Sequence, residues 1–448
     1  MKNIFLPFFS ILFLLPFISN AQSIAAKADS LLTAYHQQDH FTGTVLIAQN
    51  GKTVFEKSYG MANREDGVAN SIKTQYRIGS ISKPITALII LQLIEKNKLR
   101  LNDPLTKYIP EIPKGDSVTI EHLLNHTSGI KSFTSTKPYM QNRMDIKASE
   151  DVITILKAEP YVFSPGAKWQ YSNSNYMLLS YIAEKITGKS MTNLVNEFSK
   201  KYGLQNTGMD HDGRKSATKA YGYEAATFSD YQLVADQNIS IVTGAGGMYS
   251  TATDLLKLDS ILYTEGIVSN AIKQKMFTSG KGDYGWGWEI SDYKGRKEIS
   301  HSGSIEGFKS VIHRFPESKT TIIFLSNYWN TQGPQISEGL KAIAFGEDFK
   351  LPPVKKFITL SAEELKNYEG DYSFKGAITM TLKSEAGLLL SIIKGQPVVS
   401  FKPMAENSFY NKSNSSEIEF VRDSQGKISS FKLMKGNQVM AWDRISTQ

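Results

Sequence analysis

Ser80 and Lys83 stand three residues apart in the segment RIGSISKPI, just before a strongly apolar stretch of sequence. Residues with this spacing share one face of a helix, so the lysine amine can reach the serine hydroxyl. A free lysine, with a pKa of about 10.4, is a poor base at neutral pH, but burial disfavours its charged form. A buried Lys83 could therefore accept the proton of Ser80 and make this serine a nucleophile.

The same spacing has a purely structural interpretation. Ser80 can cap the start of the helix while Lys83 extends its charged end to solvent from the first turn. The Ser-x-x-Lys spacing also recurs in this chain at Ser128, Ser216, Ser291, Ser391, Ser424 and Ser429. The spacing alone therefore does not separate the two interpretations.

Tyr171 and Asn173, in the segment QYSNSNY, form a second candidate element. A Pro-Gly turn precedes them and a helical pattern follows. The tyrosine could share a proton with Lys83, and the asparagine could point the same way to orient a substrate amide. The alternative is a tyrosine that packs on a loop, because residues 328–330 repeat the same Tyr-x-Asn form.

The segment HSGS is the third candidate element, and it is predicted to lie on an edge strand. Gly303 has no side chain, so a substrate backbone could approach the strand, and the amide of Ser304 would then be available as a hydrogen-bond donor. His301, Ser302, Gly303 and Ser304 are thus candidates for substrate binding and oxyanion stabilisation. The alternative is a strand-edge turn with an incidental histidine.

The elements that must position these residues can be predicted in outline. Residues 81–94 are apolar nearly all round, which is typical of a helix buried in a core. Pro84 is tolerated only in the first turn, so this helix must begin near Ser80 or Ile81.

Strands are predicted towards both ends of the main domain. Residues 41–60 read as two strands joined at Asn50-Gly51, a strong hairpin signal. Strand-like alternation returns in residues 297–303, 308–316 and 320–327. We therefore expect an α+β fold, in which both ends of the domain build one sheet and a helical region is inserted between them.

The sequence changes character near residues 351–353, Leu-Pro-Pro. Beyond this point, short alternating runs are separated by turn residues at intervals of about ten. We expect residues 22–350 to form one domain and residues 355–448 to form a separate small all-β barrel.

Residues 1–21 have the pattern of a cleavable secretory signal. Lys2 precedes an apolar run from Ile4 to Ile18, and small residues follow at Ser19 and Ala21. The apolar run is shorter than the roughly 20 residues that a membrane span needs. We expect a periplasmic or secreted protein, with no stable membrane span after cleavage.

Composition excludes several function classes. The 448 residues contain no cysteine, so neither disulfides nor thiolate chemistry is available. The net charge is +8, but the basic residues are scattered among acidic ones and do not form the basic runs of nucleic-acid binders. The seven histidines do not cluster at metal spacing. No Gly-x-Ser-x-Gly elbow, His-Glu-x-x-His helix or Walker-type loop is present. We expect no metal, no cofactor and no nucleic-acid partner.

In this order, the three candidate elements resemble those of the serine β-lactamase and penicillin-binding-protein superfamily. The similarity is greatest to its class C β-lactamase-like branch, which includes D,D-carboxypeptidases, D-aminopeptidases and carboxylesterases. It covers roughly residues 30–345 and includes lesser matches, among them FTGTVLIAQNGK, IEHLLNHTSGI, GAGGMYSTATDLLKL and YGWGWEI. The resemblance implies a β-lactamase-like domain, an antiparallel sheet flanked by helices with a helical insert. The tail resembles the lipocalin-like barrel often appended to such hydrolases.

The resemblance also implies a role for each candidate residue. Ser80 would attack the substrate carbonyl, while Lys83 and Tyr171 accept and relay its proton. Asn173 would hold the substrate or the lysine. The backbone amides of Ser80 and Ser304 would stabilise the oxyanion, and a water activated near Tyr171 would release the acyl group.

His301 departs from the pattern of many β-lactamases and transpeptidases, which have a lysine here whose cation helps to hold the substrate carboxylate. Histidine, with a pKa of about 6.5, is largely neutral at pH 7. We therefore expect a hydrolase of small esters or D-amino-acid-containing peptides and amides, peptidoglycan fragments included. The alternatives are a β-lactamase or penicillin-binding protein, and a non-catalytic protein that binds cell-wall peptides.

Two further features have both a functional and a structural interpretation, and a third is interpreted as structural. The segment HTSGI, which begins at His126, either borders the cleft or forms a packed loop. Trp286 and Trp288 either line a pocket or pack in the core, and core packing is favoured. Gly246 and Gly247 are interpreted as a bend before the next helix.

Overall fold

A computed structural model describes residues 15–142, 145–146, 148–211, 213–225, 231–234, 239, 241–436 and 438–445. Of the predicted signal segment, residues 1–14 lie outside the described residues. In the described part of the chain, no helix combines the length and apolar character that a membrane span requires.

The helices are α1 (Leu15–Gln37), α2 (Ser82–Glu95), α3 (Ile120–Leu124), α4 (Lys137–Asn142), α5 (Ser149–Ala158), α6 (Asn173–Thr187), α7 (Met191–Tyr202), α8 (Thr243–Gly246), α9 (Ala252–Leu262), α10 (Asn270–Met276), α11 (Gly333–Ala344) and α12 (Ala362–Lys366). The strands are β1 (Gly43–Gln49), β2 (Lys52–Tyr59), β3 (Met61–Asn63), β4 (Val68–Ala69), β5 (Tyr76–Arg77), β6 (Gly208–Met209), β7 (Tyr223–Ala225), β8 (Tyr231–Leu233), β9 (Met248–Ser250), β10 (Glu289–Tyr293), β11 (Arg296–Ile305), β12 (Phe308–Phe315), β13 (Thr320–Ser326), β14 (Gly370–Phe374), β15 (Ile378–Glu385), β16 (Leu388–Ile392), β17 (Val399–Ala405), β18 (Ser408–Tyr410), β19 (Glu417–Arg422), β20 (Ile428–Lys435) and β21 (Gln438–Ile445).

The chain divides into two compact units. The first contains residues 1–221 and 235–351, and the second contains residues 222–234 and 352–448. The short strands β7 and β8 pair with each other and belong to the second unit.

A six-stranded antiparallel sheet, in the order β10-β11-β12-β13-β1-β2, forms the centre of the first unit. Strand β1 pairs along its length with β13, from Gly43 opposite Ser326 to Gln49 opposite Thr320. The predicted joining of the two ends of the domain in one sheet is therefore confirmed. The predicted hairpin is confirmed as well, and the positive φ angles of Asn50 and Gly51, 51° and 72°, are those that a tight two-residue turn requires.

Helices cover both faces of this sheet, because alternate residues of each strand point to opposite sides. Val45 and Ile47 of β1 pack in a cluster with α1 and α11, whereas Leu46 and Ala48 pack in the larger cluster around α2 and α6. This arrangement confirms the α+β class. It also places α2 between the sheet and the helical region.

Helix α2 is buried on all sides, as its uniformly apolar sequence predicts. It begins at Ser82, after a short 3₁₀ turn from Gly79 to Ile81. Pro84 lies in the first turn, where its missing N–H leaves no hydrogen bond unmade. The turn before the helix therefore carries Ser80, and the first turn of the helix carries Lys83.

The second unit contains a closed barrel in which β14 to β21 pair in sequence and β21 closes on β14. All its pairings are antiparallel, so the predicted all-β barrel is confirmed. Its interior is filled by buried aromatic side chains, with Phe431 stacked on Trp442 at 5.8 Å between ring centroids.

Candidate active site

Ser80 is half-buried in the 3₁₀ turn and does not cap α2. The residue at the cap position is Ile81, which makes no side-chain capping bond, and the hydroxyl of Ser82 donates to the carbonyl of Gly79 at 2.7 Å. The capping interpretation of Ser80 is therefore wrong. Its hydroxyl is left to interact with Lys83.

Lys83 is fully buried, and its Nζ has three neighbours within hydrogen-bonding distance. These are Ser80 Oγ at 3.0 Å, Asn173 Oδ1 at 2.9 Å and the carbonyl oxygen of Ala245 at 2.6 Å. The asparagine and alanine oxygens can only accept, whereas the serine hydroxyl can also donate. A neutral amine, with two N–H groups and one lone pair, matches this set if Ser80 donates its proton to Nζ.

Burial lowers the pKa of Lys83 well below its ordinary value. The neutral amine is thus far more populated than on an exposed lysine. The structure supplies the burial on which the base interpretation of Lys83 depends.

Tyr171 lies beside this pair, with its ring centroid 4.8 Å from Lys83 Nζ. Burial raises the pKa of Tyr171, and a hydrogen bond with Ser80 offsets this rise only in part. The two shifts favour a protonated phenol beside a neutral lysine. In that state Lys83 is the strongest base of the group, and Tyr171 has a proton to pass on.

Asn173 is the first residue of α6, and the loop that precedes α4 fixes its orientation. Its backbone N–H donates to Ser132 Oγ at 3.1 Å, and its side-chain amide donates to Thr134 Oγ1 at 3.2 Å. These contacts turn Oδ1 towards Lys83. The structure therefore brings together Ser80, Lys83, Tyr171 and Asn173.

Ser304 lies near the end of β11, two residues before the two-residue turn that leads into β12. In such a hairpin Ile305 and Phe308 form the closing hydrogen-bonded pair, so the N–H of the preceding Ser304 points away from β12. A Cβ added to Gly79 would lie only 2.9 Å from that nitrogen. The amide of Ser304 therefore faces the turn that carries Ser80, as a two-amide oxyanion hole requires.

His301 is buried behind the strand edge rather than exposed in the cleft. Its Nδ1 lies 2.7 Å from the carbonyl of Ser302, which can only accept, so Nδ1 carries the proton and Nε2 accepts from the hydroxyl of Tyr284 at 3.0 Å. Burial, with a smaller effect of the nearby Lys83, lowers the pKa of His301 to about 3. Histidine at this position therefore supplies no cation to a substrate.

Gly303 is needed for a reason other than the approach of a substrate. A Cβ at this position would lie 2.1 Å from the carbonyl oxygen of Ile78 and 2.3 Å from Ser310 Oγ. The Ser310 hydroxyl donates to that same carbonyl at 2.8 Å. Gly303 thus lets the segment before Ser80 lie directly against the sheet.

Gly303→Ala is expected to lower the free energy of unfolding by about 1–3 kcal/mol, because backbone atoms must shift to admit the methyl group. Urea unfolding of the variant measures this loss. Gly333→Ala is the matched control, since its Cβ would meet only ordinary contacts at 3.5 Å and beyond. Equal stability of the two variants would contradict this role of Gly303.

A cleft of about 290 Å³ opens at Ser80, Asn173 and Ser304. Much of its remaining wall is apolar, formed by Ile239, Ile241, Val242, Ile305 and Trp329. Ser302 is exposed but does not line this cleft. In the described ranges no group of three or more histidine or acidic side chains could hold a metal ion.

Two contributors to the site were not identified as site residues from the sequence, although both lie in segments that match the family, GAGGMYSTATDLLKL and YGWGWEI. One is the carbonyl of Ala245 in α8, which reaches Lys83. Helix α8 can approach this closely because Gly244 has no Cβ, which would otherwise come within 2.4 Å of the hydroxyls of Thr86 and Ser180. Of the two glycines interpreted as a bend, Gly247 is also closely packed, since a Cβ there would lie 2.9 Å from the carbonyl oxygen of Thr243. The other is Tyr284, whose aromatic segment also contains Trp286 and Trp288, both packed in the core as favoured.

Comparison with known proteins agrees with this architecture. A sequence model of the β-lactamase family matches residues 28–343. The chain belongs to the β-lactamase family. As a β-lactamase-family protein with this fold it is a serine hydrolase, and it is similar to several members over most of its length.

Penicillin-binding protein 4* of Bacillus subtilis (strain 168) is 29% identical over 419 residues, which cover 88% of this chain and 92% of that protein. The teichoic acid D-alanine hydrolase of Staphylococcus aureus is 31% identical over 227 residues, covering 50% of this chain and 55% of that protein. Among solved structures, the octameric penicillin-binding protein homologue from Pyrococcus abyssi has a TM-score of 0.66 at 24% identity, with 93% of this chain and 99% of that chain covered. The similarity to the Pyrococcus abyssi structure shows the fold alone.

Proposed function

We propose that this β-lactamase-family protein is an exported hydrolase that forms an acyl-enzyme at Ser80 and acts on esters or on amides of D-amino acids. The contact that carries the proposal is the one between Lys83 Nζ and Ser80 Oγ, 3.0 Å apart, with the amine buried and its other two neighbours able only to accept.

In the first half of the reaction, Ser80 Oγ attacks the substrate carbonyl carbon while its proton moves to Nζ of Lys83. The carbonyl oxygen gains negative charge and accepts hydrogen bonds from the amides of Ser80 and Ser304. Tyr171 donates its proton to the leaving group and recovers a proton from the lysine. The products are an ester on Ser80 and a free alcohol or amine.

In the second half, water attacks the same carbonyl on the acylated serine. Tyr171 and Lys83 take the proton of the water, and Ser80 leaves with a proton from the same pair. The acid is released and the site returns to its neutral state. The overall reaction consumes one water for each ester or amide bond cleaved.

The charge of the site supports the choice of substrate. A penicillin or a peptide ending in D-alanine presents a carboxylate, and a neutral, buried His301 offers that carboxylate no cation. The apolar wall of the cleft suits an uncharged group instead. The similarity to a teichoic acid D-alanine hydrolase agrees with a D-alanyl ester as one substrate of this class.

Export is supported by the secretory pattern of residues 1–21 and by the similarity to penicillin-binding proteins. We propose a periplasmic or secreted location, where small cell-wall-derived esters and peptides are available as substrates.

A matched pair of substrates tests this specificity. We expect an N-acyl-D-alanyl-D-alanine with its C-terminus blocked as an ester or amide to have a kcat/KM at least about tenfold above that of the free acid, because a hydrogen bond to a charged group contributes about 1.5–3 kcal/mol and the neutral His301 does not supply one. Steady-state kinetics at pH 7 measures the ratio. A preference for the free carboxylate, or rapid turnover of a penicillin, would contradict the proposal and favour a D,D-carboxypeptidase or β-lactamase.

A further inference from the structure

His126 accepts hydrogen bonds from the residues before and after Tyr171 in the chain. The carbonyl of His126 accepts from the backbone N–H of Gln170 at 3.1 Å, and its Nδ1 accepts from the backbone N–H of Ser172 at 3.3 Å. The two residues that flank Tyr171 are thus held by one histidine. This histidine begins the HTSGI segment, for which the sequence left a cleft role and a packing role open.

The tautomer of His126 is set by a chain of hydrogen bonds. Ser128 Oγ donates to Asn175 Oδ1 at 2.6 Å, which turns the amide nitrogen of Asn175 towards His126 Nδ1 at 3.0 Å. Because N–H groups from Ser172 and Asn175 both point at Nδ1, that atom accepts and Nε2 carries the proton. Asn175 itself is fully buried in the first turns of α6.

The imidazole ring also supports the ring of Tyr171. Their centroids are 4.4 Å apart with an interplanar angle of 39°, and the ring of Tyr284 lies 4.7 Å away on another side. Nε2 is buried and has no hydrogen-bond partner among the described residues. Aromatic rings surround the imidazole, and a contact between an N–H and an aromatic face is favourable but weaker than an ordinary hydrogen bond.

Packing alone does not explain this residue. A buried N–H without an acceptor costs about 1–3 kcal/mol, and His126 also adopts a positive φ of 61°, which is uncommon for a residue other than glycine. An apolar side chain would avoid the first cost, but it would give up the acceptor for Ser172 and Asn175. Nδ1 and the ring, which contact Ser172, Asn175 and Tyr171, are thus kept in spite of these two costs.

We propose that His126 is a positioning residue that holds the Tyr171 hydroxyl against Ser80, through the acceptor Nδ1 and through contact between the two rings. This inference rests on the proposed role of Tyr171 in proton transfer. His126 touches no substrate in this arrangement and transfers no proton. Its effect on the reaction passes entirely through the orientation of Tyr171.

Two variants separate the effect of the His126 ring from the effect of the acceptor Nδ1. His126→Asn keeps an acceptor near the position of Nδ1 and tolerates the positive φ, but it removes the ring from Tyr171. His126→Phe keeps a ring and removes the acceptor. We expect His126→Asn to lower kcat about 10- to 100-fold with KM changed less than about twofold, since a small misplacement of a catalytic group can cost about 100-fold.

A double-mutant cycle with Tyr171→Phe provides the deciding result. If His126 acts through Tyr171, His126→Asn should change kcat less than about twofold once the hydroxyl is absent. An equal loss in both backgrounds would overturn the inference and leave the proposed function standing. If Tyr171→Phe alone retains full activity, the proton-transfer role of Tyr171 fails, and the inference fails with it. Thermal unfolding of each variant identifies any loss that comes from unfolding, and His126→Phe serves as a second probe if His126→Asn does not fold.

Discussion

Ser80→Ala is expected to lower kcat for a chromogenic acetate ester by at least about a thousandfold. The variant loses the only atom that the proposed reaction acylates, while Lys83 keeps its two carbonyl-type acceptors and remains buried. Binding of substrate should persist, because the cleft wall and the amides of residues 80 and 304 are retained. Initial rates at saturating ester concentration measure the loss.

The matched control for this variant is Ser424→Ala. Ser424 also precedes a lysine by three residues, but it is exposed on the barrel unit and lies outside the cleft. Its replacement should leave kcat unchanged. Retained activity in Ser80→Ala would show that another group is the nucleophile and would refute the assignment of Ser80.

Lys83→Met has the second large expected effect, a loss of about a thousandfold in kcat, within the range that general base catalysis contributes. The methionine fills a similar volume but offers no basic nitrogen to take the proton of Ser80. Lys83→Arg should fare no better, because a guanidinium stays protonated and cannot accept the proton. Lys96→Met, at the exposed C-terminal end of the same helix, is the control and should leave kcat unchanged.

The pH dependence follows from the lowered pKa of Lys83. Only the neutral amine accepts a proton, so kcat/KM of the native enzyme should rise with pH through the folded-state pKa of Lys83 and then level off. The free energy of unfolding should also rise with pH. Between the folded-state pKa and about 10.4, the unfolded chain binds the extra proton, so the free energy of unfolding rises with pH.

Lys83→Met should remove this part of the stability slope, which denaturant unfolding at several pH values can measure for both proteins. A native enzyme whose activity falls as pH rises from neutral would contradict the neutral-lysine account. So would a stability slope that is the same in the two proteins.

Local patterns in the sequence predict much of the fold. The Asn50-Gly51 turn, the apolar helix α2 and the change at residues 351–353 each depend on residues close together in the chain, so the sequence contains their determinants. The partnership of Ser80 with Lys83 belongs to this group, because a single helical turn separates them. The segment of Tyr171 and Asn173 indicates them only weakly, and the resemblance to a known family favours them over the matching residues 328–330.

Contacts between distant segments account for what could not be predicted. Lys83 needs the carbonyl of Ala245, which a residue 162 positions away supplies only after α8 packs on α2 and α6. The inward direction of His301 depends on Tyr284, and the need for a glycine at position 303 depends on the carbonyl of Ile78. None of these partners is adjacent in sequence, and backbone carbonyls have no residue type by which a pattern could reveal them.

The most direct test of the account is the mass of the protein during turnover. The native enzyme and Ser80→Ala would each be mixed with a slowly hydrolysed ester and quenched in acid. Mass spectrometry of the intact protein, and then of its proteolytic peptides, would locate any added acyl group. We expect one acyl group per native chain, on the peptide that contains Ser80, and none on the variant. The role of Ser80 as nucleophile would be contradicted by an acyl group on another residue, by equal labelling of the variant, or by turnover with no covalent adduct at any time. Saturable binding without turnover or labelling would identify a binding protein instead.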